Sequence, residues 1–182
     1  TKSIPKPMVP INKKPIILRI MEHYSKYGFK EFVIATGYKN EIIKNYFKNK
    51  FLNWKIDIVY TGKDTMTGGR LKRLSKYIKD DTFLLTYGDG LSNVNIRKLI
   101  NFHRSCKGIA TLTAVRPPAR FGVIKIKAKK VTTFKEKSSL DEGWINGGFF
   151  VMEPEVLKFI KGDMTFLERD PFEKLSKKKK LF

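Results

Sequence analysis

Apolar positions recur in two alternating rhythms from Ile16 to Val115. Ile16, Ile17, Ile20, Met21 and Tyr24 fall at helical spacing behind Pro15, whose fixed φ suits a first helical turn, and Gly28 predicts the stop. Residues 31–36 (EFVIAT) are a short apolar run, which predicts a buried strand, and Gly37-Tyr38 turns the chain. Asn40 predicts the cap of a helix through Lys48, with Ile42, Ile43, Tyr46 and Phe47 inward. Residues 54–60 alternate as a strand does, and a polar, glycine-containing loop follows over 61–69. Leu71, Leu74, Tyr77 and Ile78 predict one helix over 70–78. A strand over 81–87 ends at Gly88-Asp89-Gly90, a helix covers 95–104, and a strand over 109–115 is stopped by Pro117-Pro118. Beyond this lie a strand pair (121–126 and 131–134), a strand over 145–152, a short helix opened by Pro154 and a last helix near Pro171.

Alternation of β and α implies right-handed crossovers and an α/β fold: a mostly parallel sheet with helices on both faces. The 182 residues amount to one domain at roughly 100–200 residues per domain. No stretch approaches the roughly 18 consecutive apolar residues of a spanning helix. The opening residues 1–5 have no apolar signal-peptide core, so the expected location is the cytoplasm. A single cysteine, Cys106, and two distant histidines, His23 and His103, leave no disulfide framework and no zinc-type ligand spacing.

The net charge of +21 favours anionic partners: nucleic acid, anionic lipid or phosphorylated small molecules. The lysines are nevertheless spread along the whole chain, as a solvated surface requires, and the run 177–180 reads as a frayed tail. A nucleic-acid binder predicts a basic stripe with interleaved exposed aromatics, whereas most aromatics here fall at inward positions. Phe149 and Phe150 read as core residues of opposite faces, His103 as a surface or satisfied histidine, and Cys106 as inert.

In sheets of this kind ligands sit at the carboxyl ends of strands, which directs attention to Asp89. Between two glycines, its carboxylate suits Mg²⁺ carried with a nucleotide phosphate, and equally an ordinary tight turn. Lys6, held between Pro5 and Pro7, is mounted either to meet a phosphate with little entropy loss or simply in a surface loop. Residues 65–70 (TMTGGR) precede a helix, whose first N–H groups can hold an anion while Arg70 forks onto phosphate or a base carbonyl. Alternatively, a threonine there caps the helix beside permissive glycines. Glu136-Lys137 and Asn146-Gly147-Gly148 offer hydrogen bonds to sugar hydroxyls, a cation for a sugar phosphate and close backbone approach, or else loops and a β-bulge.

These segments also occur together in a known order. PKPM at 5–8, followed by KPII at 14–17, resembles the start of sugar-phosphate nucleotidyltransferases. The strings TGKDTMTGGRLKR (61–73), YGDG (87–90), RFGVIKI (120–126), FKEK (134–137) and WINGGFFV (144–151) are similar to the glucose-1-phosphate cytidylyltransferase branch of that family, over nearly the whole chain. The resemblance implies a Rossmann-like, glycosyltransferase-A-like fold, CTP and α-D-glucose 1-phosphate as substrates, CDP-glucose and pyrophosphate as products, Mg²⁺ as cofactor and a homo-oligomer. It implies phosphate contact for Lys6, nucleotide binding for Thr65, Arg70 and Gly88, and Mg²⁺ on Asp89. Gly122, Glu136, Asn146 and Gly147 would bind glucose, and Lys137 the sugar phosphate; Lys6 and Asp89 carry the catalytic role.

The family also has a first strand with a glycine-rich GGxGTR loop before PKPM, a segment before Trp54, and a later motif with a second metal-binding aspartate. None of these is found within residues 1–182, so the domain is expected to be incomplete at both ends, with open sheet edges. Three functional outcomes stand at this point: a cytidylyltransferase, a nucleotide and sugar-phosphate binding module without turnover, and a sister-branch enzyme using dTTP or UTP.

Overall fold

A computed structural model describes residues 3–48, 53–79, 81–117, 123–135 and 143–182. A 3₁₀ turn, Lys6–Met8, leads into two short antiparallel strands, β1 (Pro10–Ile11) and β2 (Lys14–Pro15). Helix α1 (Ile16–Ser25) begins directly after Pro15, and the chain turns at Gly28, whose φ of 93° suits glycine. Strand β3 (Glu31–Thr36), helix α2 (Asn40–Phe47) and strand β4 (Lys55–Tyr60) form a β-α-β unit in which β3 and β4 pair in parallel, Glu31 opposite Lys55. Asn40 is the first helical residue rather than the cap. Its Oδ1 instead accepts the Thr36 hydroxyl at 2.6 Å, tying the helix start to the end of β3.

The single helix expected over 70–78 is two, α3 (Thr67–Arg73) and α4 (Ser75–Ile78), broken at Leu74. After them come β5 (Phe83–Thr86), α5 (Ile96–Cys106) and β6 (Ala110–Val115). Asn95 caps α5, accepting from Lys98 N at 3.0 Å. Strands β7 (Val123–Lys127) and β8 (Lys130–Lys135) form an antiparallel hairpin. Strand β9 (Ile145–Met152) enters between β5 and β6 and runs antiparallel to both. A 3₁₀ turn (Pro154–Phe159) and α6 (Asp170–Lys177) close the order.

The fold is the expected α/β class. Its parallel pairing lies in β3–β4, and β5 and β6 share a direction with the reversed β9 between them. Among the described residues β3 pairs only with β4, and β5 only with β9. Helix α1 spans the two groups: Ile17, Leu18 and Met21 pack with Ile34, Ile43 and Phe47, while Ile20 and Tyr24 pack with Ile96, Phe149 and Val151. Phe149 and Phe150 are core residues of opposite faces, as expected, in two different clusters.

The 177–180 run is no frayed tail: Lys180 O accepts from Ile109 N at 2.9 Å and Ala110 N at 3.1 Å, and Leu112 N donates to Phe182 O at 2.8 Å. His103 is the satisfied histidine of the two alternatives: it is buried, with Nδ1 2.8 Å from Thr111 Oγ1 and Nε2 2.9 Å from Glu153 Oε1. Among the described residues no helix is long and apolar enough to cross a membrane.

Candidate active site

The carboxyl ends of β3 and β5 bring the first sequence candidates together. Pro5 is buried and Met8 packs in the α1–β3 core, so the turn between them is anchored at both ends while Lys6 stays exposed. Met8 N donates to Pro5 O at 2.9 Å and Val9 N to Lys6 O at 3.0 Å, which fixes the mount. A cavity of about 390 Å³ is lined by Lys6, Pro7, Thr36, Gly37, Tyr38 and Arg70, among others. Gly88 lies against Pro7, 3.2 Å from where a side chain would begin to the Pro7 ring, so the Gly-Asp-Gly turn after β5 adjoins the Lys6 turn. Asp89 is exposed, with no ion pair or hydrogen bond among the described residues.

Arg70 is largely committed to the protein. Its Nη1 donates to Thr36 O at 3.0 Å and Thr61 Oγ1 at 2.8 Å, and its Nη2 to Lys63 O at 3.2 Å. It thus ties the ends of β3 and β4 together, and partial burial pulls its pKa below the ordinary guanidinium value. Gly37 must be glycine for this: a side chain there would begin 2.8 Å from the guanidinium nitrogens and 2.6 Å from Gly62 O. Two of the five guanidinium N–H donors remain uncommitted to described partners, so a ligand contact is restricted to those. Thr65 is buried beneath Gly62.

The start of α3 is no anion nest. Met66 N donates to Asp163 O at 2.9 Å, and Gly68 N and Gly69 N to Thr165 O at 2.9 and 3.2 Å. The glycines make room for those carbonyls, since a side chain at Gly68 would begin 2.8 Å from Thr165 O. Threonine is not the cap either; Met66 occupies that position and Thr67 is the first helical residue. The glycines of β9 likewise admit the protein's own atoms: a side chain at Gly147 would meet Thr113 O at 3.0 Å, and one at Gly148 (φ 77°) the Tyr87 ring at 2.7 Å.

A polar network, unforeseen in the sequence, joins these strings. Tyr87 donates its hydroxyl to Glu168 Oε1, and Thr67 donates its own to Glu168 Oε2 at 2.7 Å. Asn146 Nδ2 donates to the Tyr87 oxygen at 3.2 Å, and Asn146 Oδ1 accepts from Gly148 N at 2.8 Å. Burial first, then the Glu168 carboxylate, pushes the Tyr87 hydroxyl pKa well above the ordinary phenol value, with a smaller push from the charge of Asp89. Asn146 is therefore held from both ends of its amide, with one N–H left over. Gly122, Glu136 and Lys137 lie outside the described residues.

Among the described residues no group of three or more histidine, cysteine, aspartate or glutamate side chains could hold a metal ion. The single exposed carboxylate of Asp89 nonetheless suits Mg²⁺, which keeps several waters and is commonly bound by one or two carboxylates plus substrate phosphates.

Residues 1–179 match the nucleotidyl transferase family. The glucose-1-phosphate cytidylyltransferase of Salmonella typhimurium is 44% identical, over 97% of this chain and 78% of the relative. A probable glucose-1-phosphate cytidylyltransferase of Bacillus subtilis is 41% identical over the same shares. The Salmonella alignment spans 200 positions against a chain of 182, so the relative carries residues within that span that this chain lacks. Among solved structures, HddC from Yersinia pseudotuberculosis superposes with a TM-score of 0.71 at 28% identity, covering 92% of this chain and 75% of its own, and one such structure is complexed with GMP-PN. The chain belongs to the nucleotidyl transferase family.

Proposed function

We propose that this chain transfers a cytidylyl group from CTP to α-D-glucose 1-phosphate, releasing pyrophosphate and forming CDP-glucose. The observation that carries the reading is the contact of the Lys6–Pro7 turn with the Gly88–Asp89 turn, in a chain 44% identical to an enzyme of that name. A phosphate oxygen of the sugar phosphate attacks the α-phosphorus of CTP. A P–O bond forms there as the bond to the β-phosphate breaks, and the electron pair leaves with pyrophosphate. Such a displacement needs positioning and charge neutralisation more than a strong base.

Lys6 supplies a fixed cation to the phosphates. Asp89 is the residue that would hold Mg²⁺, which when bound offsets phosphate charge. Gly88 and Thr65 form the nucleotide side, where Arg70 acts chiefly by holding the loops and secondarily through its uncommitted N–H groups. Asn146 uses its remaining N–H toward the sugar, beside Gly147. Resemblance assigns Gly122 and Glu136 to glucose and Lys137 to its phosphate. A homo-oligomer in the cytoplasm completes the reading.

Pyrophosphate release by the 182-residue chain, with Mg²⁺ and glucose 1-phosphate and with CTP, dTTP, UTP or ATP in parallel, tests the proposal. Release with CTP alone is the expected result. Release with dTTP or UTP instead moves the chain to a sister branch. Binding of CTP without release makes it a binding module.

A further inference from the structure

The carboxylate of Glu168 is the one group that collects both the Tyr87 and the Thr67 hydroxyls. It does so across separations of 81 and 101 residues. It sits after Leu167, which is fully buried and whose N–H donates to Thr67 Oγ1 at 2.9 Å, so its backbone is fixed from the same side. An ionised carboxylate only accepts, so each hydroxyl must give its proton to it. The Tyr87 oxygen is then left as an acceptor, and the only donor to it among the described residues is Asn146 Nδ2. Gly148 N, a donor, selects the same amide orientation from the other end. Every proton in the chain Asn146 to Tyr87 to Glu168 thus points one way, and Glu168 sets the direction.

We propose that Glu168 is a positioning residue: by orienting Tyr87 it holds the Asn146 amide with its free N–H toward the sugar phosphate, and through Thr67 it locks this side to the start of α3. The proposal deepens the reading of the site given above and rests on it. Glutamine at 168 keeps the size but offers one accepting oxygen and one donating nitrogen. One of the two hydroxyls then faces a donor, and the Asn146 amide is left with Gly148 N as its single fixed anchor.

Calorimetric titration of the full chain with glucose 1-phosphate, and separately with CTP and Mg²⁺, tests it. Glu168→Gln is expected to weaken glucose 1-phosphate binding about tenfold and to leave CTP binding within about twofold. Tyr87→Phe, which removes the middle of the chain and keeps the ring, is expected to do the same, and the double variant to bind no more weakly than either single one. It also serves alone if Glu168→Gln does not fold. Unchanged sugar-phosphate affinity with a lowered melting temperature would make Glu168 a purely structural tie and overturn the proposal. Equal loss for both ligands, or additive losses, would overturn it as well. If the wild-type chain binds neither ligand, the substrate reading fails instead, and the NMR signal of the Asn146 side-chain amide decides. A shift in both variants supports the oriented chain, and an unmoved amide overturns it.

Discussion

The two groups of strands that meet at this site are built on opposite terms. In β9 the residues from Phe149 to Met152 are all buried, at 2, 0, 0 and 0% exposure, because β5 and β6 flank the strand and helices cover both faces. In β3 alternation survives: Ile34 is buried at 8% while Val33 is 39% exposed. The first group behaves as a core that happens to end in a site. The second is a half-covered leaf whose carboxyl end is held by Arg70 and by the anchored Lys6 turn. The proposed site draws one cation from the leaf, Lys6, and one anion from the core, Asp89. Chemistry that has to bring these charges to one substrate therefore depends on α1, the helix that packs on both groups.

Core and leaf are not expected to cost the same to damage. Phe150 is fully buried, edge-on to Tyr87 at 5.4 Å between ring centres and tilted against Phe172 at 5.6 Å. Phe150→Ala is expected to cost about 3–5 kcal/mol, through lost burial and the cavity left behind. Val33→Ala is expected to cost under about 1 kcal/mol, because much of the side chain already meets water. Urea unfolding of both variants measures this, and equal losses would show the leaf to be as tightly packed as the core.

Asp89 is the opposite case, since it lies beside the core yet is exposed and without a described partner. Asp89→Asn is expected to leave the unfolding midpoint nearly unchanged and to lower turnover about 10²–10³-fold, the scale of removing one charge-stabilising group from a transition state. Raising the Mg²⁺ concentration is expected to recover part of that loss. Full activity in the variant at ordinary Mg²⁺ would remove Asp89 from the proposed metal role.

What the sequence made legible follows a physical division between local and distant causes. Pro5-Lys6-Pro7 and Gly88-Asp89-Gly90 were readable because proline and glycine act on their own backbone, and the structure sets these two turns side by side. The apolar residues 149–152 behind the glycines of β9 likewise marked a strand by local pattern alone. The misreadings share the opposite cause. The N–H groups at Met66, Gly68 and Gly69 looked free for an anion because the carbonyls that take them come from Asp163 and Thr165, far along the chain. The run 177–180 looked frayed because its partners are Ile109 and Ala110. Glu168 gave no signal, having no spacing to Tyr87 or Thr67 that any helix or strand period would mark. The break at Leu74 lay inside an apolar period that continues across it, with neither glycine nor proline to announce it.

The smallest effect belongs to the loop that carries Asp163 past α3. Arg73 Nε donates to Asp163 Oδ1 at 2.8 Å and Nη2 to Oδ2 at 2.6 Å, a fork with both side chains about half exposed. The hydrogen bond from Arg73 holds the Asp163 carboxyl below the ordinary carboxylate range, and the reciprocal bond raises Arg73. A carboxyl with a lowered folded value binds fewer protons folded than unfolded. Its stabilisation is therefore present above the ordinary carboxylate range and is lost as pH falls through the lowered value. Asp163→Asn is expected to be slightly less stable than wild type at neutral pH, with the gap closing in acid and shrinking in high salt. Urea midpoints of the two proteins at neutral and acidic pH measure it. A gap that stays constant across that range would mean the fork contributes through packing of the loop against α3, and the loop would then be held on the core by shape rather than by charge.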